Sequence, residues 1–346
     1  MISAKAVSYT EGYRSGHNEA VLKTVCPLDT WVRIPHPPPK PRFFGAFLVI
    51  KEANMALLDD LILRFSRTIA AFPSSQELEC AIAKAHTDMS RRANGHKPEI
   101  QAESIVWLKD RFTTISPFIL NNQDDFDEWH HTTCKEYCEH MNAYINSQGF
   151  VFFMTYGRAQ KVLNMTFKYL YCTASYKADI EKIIPFLHMT LDGYTLRWYK
   201  EVIVKYINDN RPQGTAKLKV GDVSDWSKMN EVGKHQYIDI QTRIRDYLLI
   251  ASDYHYSINT EVIDEEIQEK EKTSTINVDV PFDNTRRHPF FAEFIVWEGE
   301  IVRAKVENLF KGLNGIYKTW SVDKWAVNSS IKSELQSKLT TILKNI

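Results

Sequence analysis

The sequence of 346 residues lacks the features that mark several large protein classes. Its apolar stretches, such as AFLVI and FVFFM, stop far short of the roughly 20 residues that a transmembrane helix needs. Its five cysteines are an odd number spread over a long chain, which disfavours a disulfide framework and favours a reducing compartment. The N-terminus has no apolar core behind a basic start, so no secretory signal is predicted. We therefore expect a cytoplasmic protein that does not cross a membrane.

A net charge and the common catalytic motifs are also absent. The 43 basic residues balance the 43 acidic ones, so the overall field attracts neither nucleic acid nor an anionic membrane. No P-loop, dinucleotide fingerprint, nucleophile elbow or zinc-protease motif occurs, which argues against kinases, Rossmann dehydrogenases and zincins. A nucleic-acid partner therefore requires a local basic patch. Residues 151–207 contain one, and compensating acid follows in residues 261–272.

Apolar residues at helical spacing are the main pattern in the sequence. Apolar residues recur every three to four positions from Met55 to Ile69, and further helices are expected near residues 74–93, 101–112, 124–146, 158–171, 176–184, 193–208, 231–252, 290–311 and 329–346. A proline cluster ends an extended arm at residues 1–50, and residues 217–220 are a candidate short strand. The predicted fold is mainly α: a multi-helix globular bundle with a central helix-hairpin-helix-like unit, the extended N-terminal arm and minor strands. We divide it into the arm (1–50), a helical core (51–210) and a C-terminal helical layer (211–346) with an acidic linker at 253–285.

The most informative stretch begins at Thr155 with the sequence TYGRAQK. A glycine at position 157 is typical of a tight turn, and the amide groups of a helix that starts there form a ready anion site. Arg158 and Lys161 would stand beside that helix start. A basic, glycine-opened helix of this kind predicts contact with phosphate.

A second helix is predicted to begin at Asp192, in the sequence TLDGYTLRWYK. An aspartate before a helix accepts hydrogen bonds from amide groups two or three residues later, and capping alone accounts for many such residues. If Asp192 meets Lys161, a neutral amine could attack an electrophilic carbon while the carboxylate stabilises a developing positive charge. Capping and chemistry both remain open for this residue.

These two segments resemble the helix-hairpin-helix DNA glycosylases of the endonuclease III type. In that family a G-x-G-R-K-T-A turn opens a helix and a V-D-T-H-x-x-R segment follows; Thr155 replaces the first glycine here. The resemblance implies that Lys161 is the Schiff-base lysine and that Asp192 supports departure of the base. It also implies DNA contacts by Gly157, Arg158, Gln160, Arg197 and Lys200. No cysteine cluster for an iron–sulfur centre follows, so no cofactor is predicted.

A broader set of residues resembles an uncharacterised bacterial protein family. It comprises the FDEWH sequence at 126–130 with Cys134, the pattern GxAQKxxNM from Gly157 with KYLY from Lys168, and His188 with Leu191 and Asp192. This resemblance implies no activity. It places the unusual residues in one folding unit.

Histidines and cysteines cluster in the sequence WHHTTCKEYCEHM. On a helix, His131, Cys134 and Cys138 would share a face, and two or three such side chains can hold a metal ion. The spacing lacks the loop geometry of structural zinc sites, and buried cysteines in a core helix explain it better. We therefore predict no metal site.

Two functions follow from the sequence. The first is a DNA-interacting protein of helix-hairpin-helix character, a candidate base-excision glycosylase that uses Lys161 and Asp192. The alternative is a non-enzymatic interaction subunit of a bacterial or phage-related complex, which contacts a protein partner through the acidic linker or the N-terminal arm. Aromatic residues interleave with basic ones near Trp198 and Trp297, a pattern typical of base stacking but commoner in ordinary cores.

Overall fold

The computed structural model describes residues 56–69, 72–91, 97–214, 216–219, 225–229, 234–251, 253–262, 272–282 and 286–318. The predicted N-terminal arm, the predicted C-terminal helix at 329–346, which contains Ile331 and Ile342, and most of the acidic segment 261–272 lie outside these residues. The chain divides into two compact units, residues 45–307 and residues 1–44 with 308–346. The predicted domain boundaries at 50 and 210 stay predictions.

Helices make up most of the described chain, which confirms the predicted mainly α fold. In chain order they are α1 Ala56–Ser66, α2 Glu77–Ser90, α3 Pro98–Thr114, α4 Gln123–Ser147, α5 Tyr156–Tyr171, α6 Lys177–Ile183, α7 Gly193–Trp198, α8 Val204–Asn210, α9 Lys234–Ile250 and α10 Pro289–Lys318. A π-helical turn, Tyr199–Ile203, joins α7 to α8. No helix in these described segments is long and apolar enough to cross a membrane.

Helix α5 is the centre of the unit formed by residues 45–307. Every residue of this helix except Arg158 is buried, and it packs against α2, α4 and α6. A helix surrounded in this way is expected to be apolar on all sides. Helix α5 instead carries five buried polar side chains. Thr166 donates to the Val162 carbonyl of the same helix, whereas Gln160, Lys161, Asn164 and Lys168 each need a partner from another element.

The start of α5 differs from the predicted glycine turn. Thr155 is the N-cap, and its hydroxyl accepts a hydrogen bond from the amide of Arg158 at 3.3 Å. Gly157 lies inside the first turn of the helix and has no positive φ angle. The predicted tight bend at Gly157 is therefore wrong. The loop between α4 and α5 ends at the capping residue Thr155 and needs no glycine with a positive φ angle.

Two strands occupy the ends of the predicted acidic linker at 253–285. Strand β1, Asp253–Val262, pairs with strand β2, Lys272–Pro281, in antiparallel register with Tyr254 opposite Val280 and Val262 opposite Lys272. Both strands contain alternating β-branched residues, which favour pleated structure over coil. Residues 253–262 and 272–281 of the predicted linker are therefore strands. The acidic residues around position 265 directed the prediction towards a linker and away from the alternating pattern of the two strands. The candidate strand at 217–220 has no regular structure in its described residues.

Candidate functional site

A buried segment without helix or strand, residues 188–192, runs between α5, α9 and α10. Buried amide and carbonyl groups must be paired, and residues 188–192 are not part of the two-stranded sheet found in the described part of the chain. Glutamine and glutamate side chains provide the hydrogen bonds instead. We call residues 188–192 the clamped segment.

Three helices each hold one residue of the clamped segment. Gln160 of α5 accepts from the Leu191 amide at 3.2 Å and donates to the Leu191 carbonyl at 2.7 Å. Gln241 of α9 repeats the arrangement on Met189 at 3.0 and 2.8 Å. Glu293 of α10 accepts from the amide of Thr190 at 2.7 Å. These side chains therefore fix the position of the backbone immediately before Asp192.

Lys161 and Asp192 meet. The Nζ atom of Lys161 lies 3.3 Å from Oδ2 of Asp192, and Trp297 donates its indole N–H to the same oxygen at 3.2 Å. The other carboxylate oxygen, Oδ1, caps α7 by accepting from the amides of Tyr194 and Thr195 at 2.9 and 3.2 Å. The capping prediction for Asp192 is thus confirmed, and the same residue also forms the ion pair.

The ion pair is enclosed rather than set in an open cleft. The Lys161 side chain is 11% exposed and that of Asp192 is 5% exposed. The ring of Trp226 lies over Lys161, with 4.7 Å between Nζ and the ring centroid. We call residues 225–229 the cover, because they lie on the first turn of α5. The Trp226 ring of the cover therefore occupies one face of the amine.

Carbonyl groups of the cover accept hydrogen bonds from donors at the start of α5 that were predicted to bind phosphate. The Gly157 amide donates to the carbonyl of Met229 at 3.2 Å, and the Thr155 hydroxyl donates to the carbonyl of Ser227 at 2.9 Å. Carbonyl oxygens of the protein therefore occupy positions that a ligand oxygen would take. The start of α5 is filled in this conformation.

The other residues predicted to contact DNA have separate partners. Arg158 lies over the ring of Phe152, 4.7 Å from its centroid, and donates to the carbonyl of Phe153. Arg197 forms an ion pair with the buried carboxylate of Glu300. Gln160 is fully buried, and Lys200 is half-buried in the π-helical turn. The structure thus brings together Lys161 and Asp192, with Gln160 behind them, whereas Arg158 and Arg197 engage other groups.

A second polar cluster is linked to Gln160 through Asn164, which donates to the Gln160 side-chain oxygen at 3.0 Å. His188 binds Asp127 through Nε2 at 2.6 Å and the Tyr237 hydroxyl through Nδ1 at 3.1 Å. Asn164 donates to that hydroxyl at 2.9 Å, and its Oδ1 lies 2.9 Å from Nε2 of His130. These contacts form a continuous pattern when both imidazoles are neutral with the proton on Nε2.

Burial lowers the pKa of both histidines below the ordinary value of 6.5. For His130 the neighbouring His188 adds to this effect, whereas for His188 the hydrogen bond to Asp127 opposes it. Because the unfolded chain takes up these protons first, the histidines stabilise the fold fully above about pH 6.5, and this stabilisation is lost as the pH falls below that value. The free energy of unfolding should decrease by at most about 1.4 kcal/mol per pH unit for each histidine.

Urea unfolding between pH 7.5 and 5 measures this slope. His130→Gln keeps a neutral polar side chain, removes one titrating group and should reduce the slope by about half. His140→Gln alters a partly exposed histidine and serves as the control. A slope that is the same in all three proteins would contradict the assignment.

The predicted absence of a metal site stays a prediction, but the histidine and cysteine cluster is accounted for. Cys134 is buried, with its sulfur 3.8 Å from Nδ1 of His130, while His131 contacts the Tyr156 hydroxyl and His140 contacts Glu103. Within the described segments, no group of three or more His, Cys, Asp or Glu side chains is placed to hold a metal ion. The core-helix interpretation explains these residues.

Comparisons of the chain with protein-family models, with curated proteins and with solved structures give no match. The site is therefore interpreted from its own geometry. Sequence reasoning missed Trp226, Tyr237 and Gln241, which lie outside the quoted motifs. Only the unusual number of polar residues on the buried helix α5 signalled that such partners were needed.

Proposed function

We propose that the protein acts on DNA as a base-excision glycosylase with lyase character, in which Lys161 is the nucleophile and Asp192 its partner. The observation that supports this is the distance of 3.3 Å between the Lys161 amine and the Asp192 carboxylate. Lys161 lies in α5, and Asp192, 31 residues later, is the N-cap of α7. The carboxylate is oriented by the α7 cap and by the indole N–H of Trp297, and the ring of Trp226 lies over the lysine. Such an oriented and partly dehydrated pair is suited to covalent catalysis.

The proposed reaction begins with transfer of a proton from Lys161 to Asp192. The free amine then attacks C1′ of the damaged nucleotide, and the bond from C1′ to the base nitrogen breaks with its electron pair leaving on the base. The departing base takes up the proton held by Asp192, which restores the carboxylate. The nitrogen now bound to C1′ then passes one of its two protons to O4′ as the bond between C1′ and O4′ breaks, and the sugar ring opens to a protonated imine. The restored Asp192 carboxylate stabilises the positive charge of this product.

Borohydride trapping tests this proposal, because it reduces the imine to a stable covalent adduct. The protein is incubated with duplexes that carry uracil, an oxidised purine, an alkylated purine or an abasic site, and the adduct is separated on a denaturing gel. Lys161→Arg preserves the positive charge beside Asp192 but cannot form the imine, so the adduct should vanish. Asp192→Asn keeps the helix cap and should slow adduct formation by about 10²-fold or more.

Lys182→Ala is the matched control, because this lysine is 65% exposed and should leave trapping unchanged. Circular dichroism checks that each variant is folded. Persistence of the adduct in Lys161→Arg would falsify the enzymatic proposal, as would its absence on every duplex from both the native protein and Trp226→Ala, which removes the ring over the amine. The salt dependence of DNA affinity reports separately on phosphate contacts, since log Kd changes with log salt in proportion to their number.

We place this activity in the cytoplasm. Cys80, Cys134, Cys138 and Cys172, the cysteines in the described part of the chain, are all free thiols. Free thiols persist in reducing compartments and are commonly oxidised outside them.

A second candidate, the non-enzymatic interaction module, is favoured by one observation. In the loop between α4 and α5, Val151 is 91% exposed and Phe153 is 60% exposed. Adjacent exposed apolar side chains are typical of a contact surface. This candidate predicts that the protein isolated from its source cells co-elutes with a partner and that Phe153→Ser releases it. Isolation as a monomer without a partner counts against it.

A further inference from the structure

The hydrogen bonds recorded between the backbone of the cover and other elements converge on the start of α5. Residues 225–229 form a short 3-10 turn in which only Met229 is fully buried, while Asp225 and Lys228 are exposed. Their backbone accepts two hydrogen bonds, from Thr155 and Gly157, and the Trp226 ring adds its contact with Lys161. All three contacts are made to the first two turns of α5. The cover therefore touches the nucleophile and the helix start that presents it.

Gly157 is required for this contact and not for a turn. A Cβ atom at position 157 would lie 1.5 Å from the carbonyl oxygen of Trp226 and 2.7 Å from its carbonyl carbon. Backbone atoms cannot yield as a flexible side chain can, so any larger residue at position 157 must displace the cover. Glycine also weakens a helix relative to alanine, which makes its place in a buried helix costly unless close approach demands it.

We infer that residues 225–229 are an autoinhibitory cover that holds Lys161 unreactive until it is displaced. The inference rests on the proposed function, because it states how access to the lysine of that site is controlled. In the closed state the indole of Trp226 takes the place above the amine that a substrate would need. Displacement removes the ring and frees the Gly157 amide and the Thr155 hydroxyl at the same time.

Chemical labelling of Lys161 tests the cover without any DNA. The protein is treated with formaldehyde and cyanoborohydride, and the methylation rate of Lys161 is followed by mass spectrometry. Trp226→Ala removes the ring, and Gly157→Ala displaces the backbone of the cover without changing any residue of the cover itself. Each variant should raise the labelling rate of Lys161 by at least tenfold relative to the native protein.

Gly193→Ala is the matched control, because a Cβ at position 193 meets no atom within 4 Å. Its labelling rate should stay within twofold of the native rate. Native-like circular dichroism establishes that the variants are folded, and having two independent variants guards against the failure of one. If Lys161 is labelled at the native rate in both Trp226→Ala and Gly157→Ala, the inference is overturned.

Borohydride trapping on duplex DNA distinguishes this inference from the proposed function. Faster labelling together with faster trapping in both variants supports the two proposals. Faster labelling without any trapped adduct, even in the opened variants, supports the cover and removes the glycosylase. Trapping that is equally fast in native and opened proteins shows that the cover does not control the amine and overturns the inference.

Discussion

Lys168→Met should lower the free energy of unfolding by about 3–5 kcal/mol, since it leaves a buried carboxylate without its cation. Lys168 and Glu293 are each 1% exposed, and the ammonium nitrogen lies 2.8 Å from Oε1 of the glutamate. Burial raises the pKa of Glu293, and the charge of Lys168 opposes that rise. Methionine fills most of the lysine volume, so the effect reports the lost charge more than a cavity.

Urea unfolding at pH 7 measures the loss, with Lys182→Met as the exposed control expected to change stability by less than about 0.5 kcal/mol. The double variant Lys168→Met with Glu293→Gln removes both charges while retaining an acceptor for the Thr190 amide. It should recover most of the lost stability. If Lys168→Met is no more harmful than the control, the ion pair contributes nothing to the fold.

The second large effect is expected at Gln241. Gln241→Leu leaves the Met189 amide buried without a partner, which costs about 1–3 kcal/mol, and it leaves the Met189 carbonyl with only the long 3.5 Å hydrogen bond from Asn164. We expect the free energy of unfolding to fall by about 2–4 kcal/mol in total. Leucine is similar in size to glutamine, so packing changes little.

Hydrogen exchange gives a specific check on this prediction. The Met189 amide should exchange faster in Gln241→Leu than in the native protein, because its acceptor is gone. Gln148→Leu, at an exposed position, is the matched control and should affect neither stability nor exchange at Met189. Unchanged protection of the Met189 amide would show that the clamp is dispensable.

Local signals in the sequence predicted much of this fold. Helix α4 was expected at 124–146 and spans Gln123–Ser147; helix α5 was expected at 158–171 and spans Tyr156–Tyr171. The cap at Asp192 follows from residue type and position alone. These features depend on neighbours within a few residues, which a single sequence displays directly.

Features set by distant residues were harder to predict. Gln160 was expected at a DNA interface because it stands beside the glycine, yet it is fully buried and binds Leu191. Its partner lies 31 residues away, and periodicity carries no information on such pairings. Gly157 was assigned to a bend for the same reason, since the backbone of Trp226 that requires a glycine there is distant in sequence.

The clamped segment also constrains how the protein folds. Its hydrogen-bonding groups come from residues separated by 31, 52 and 103 positions, on three different helices. None of these bonds forms from local structure, so residues 188–192 gain their partners only once α5, α9 and α10 have assembled. Non-local contacts of this kind slow the search for the native state. The assembly step should therefore be cooperative, and loss of any one helix should release the segment from the other two.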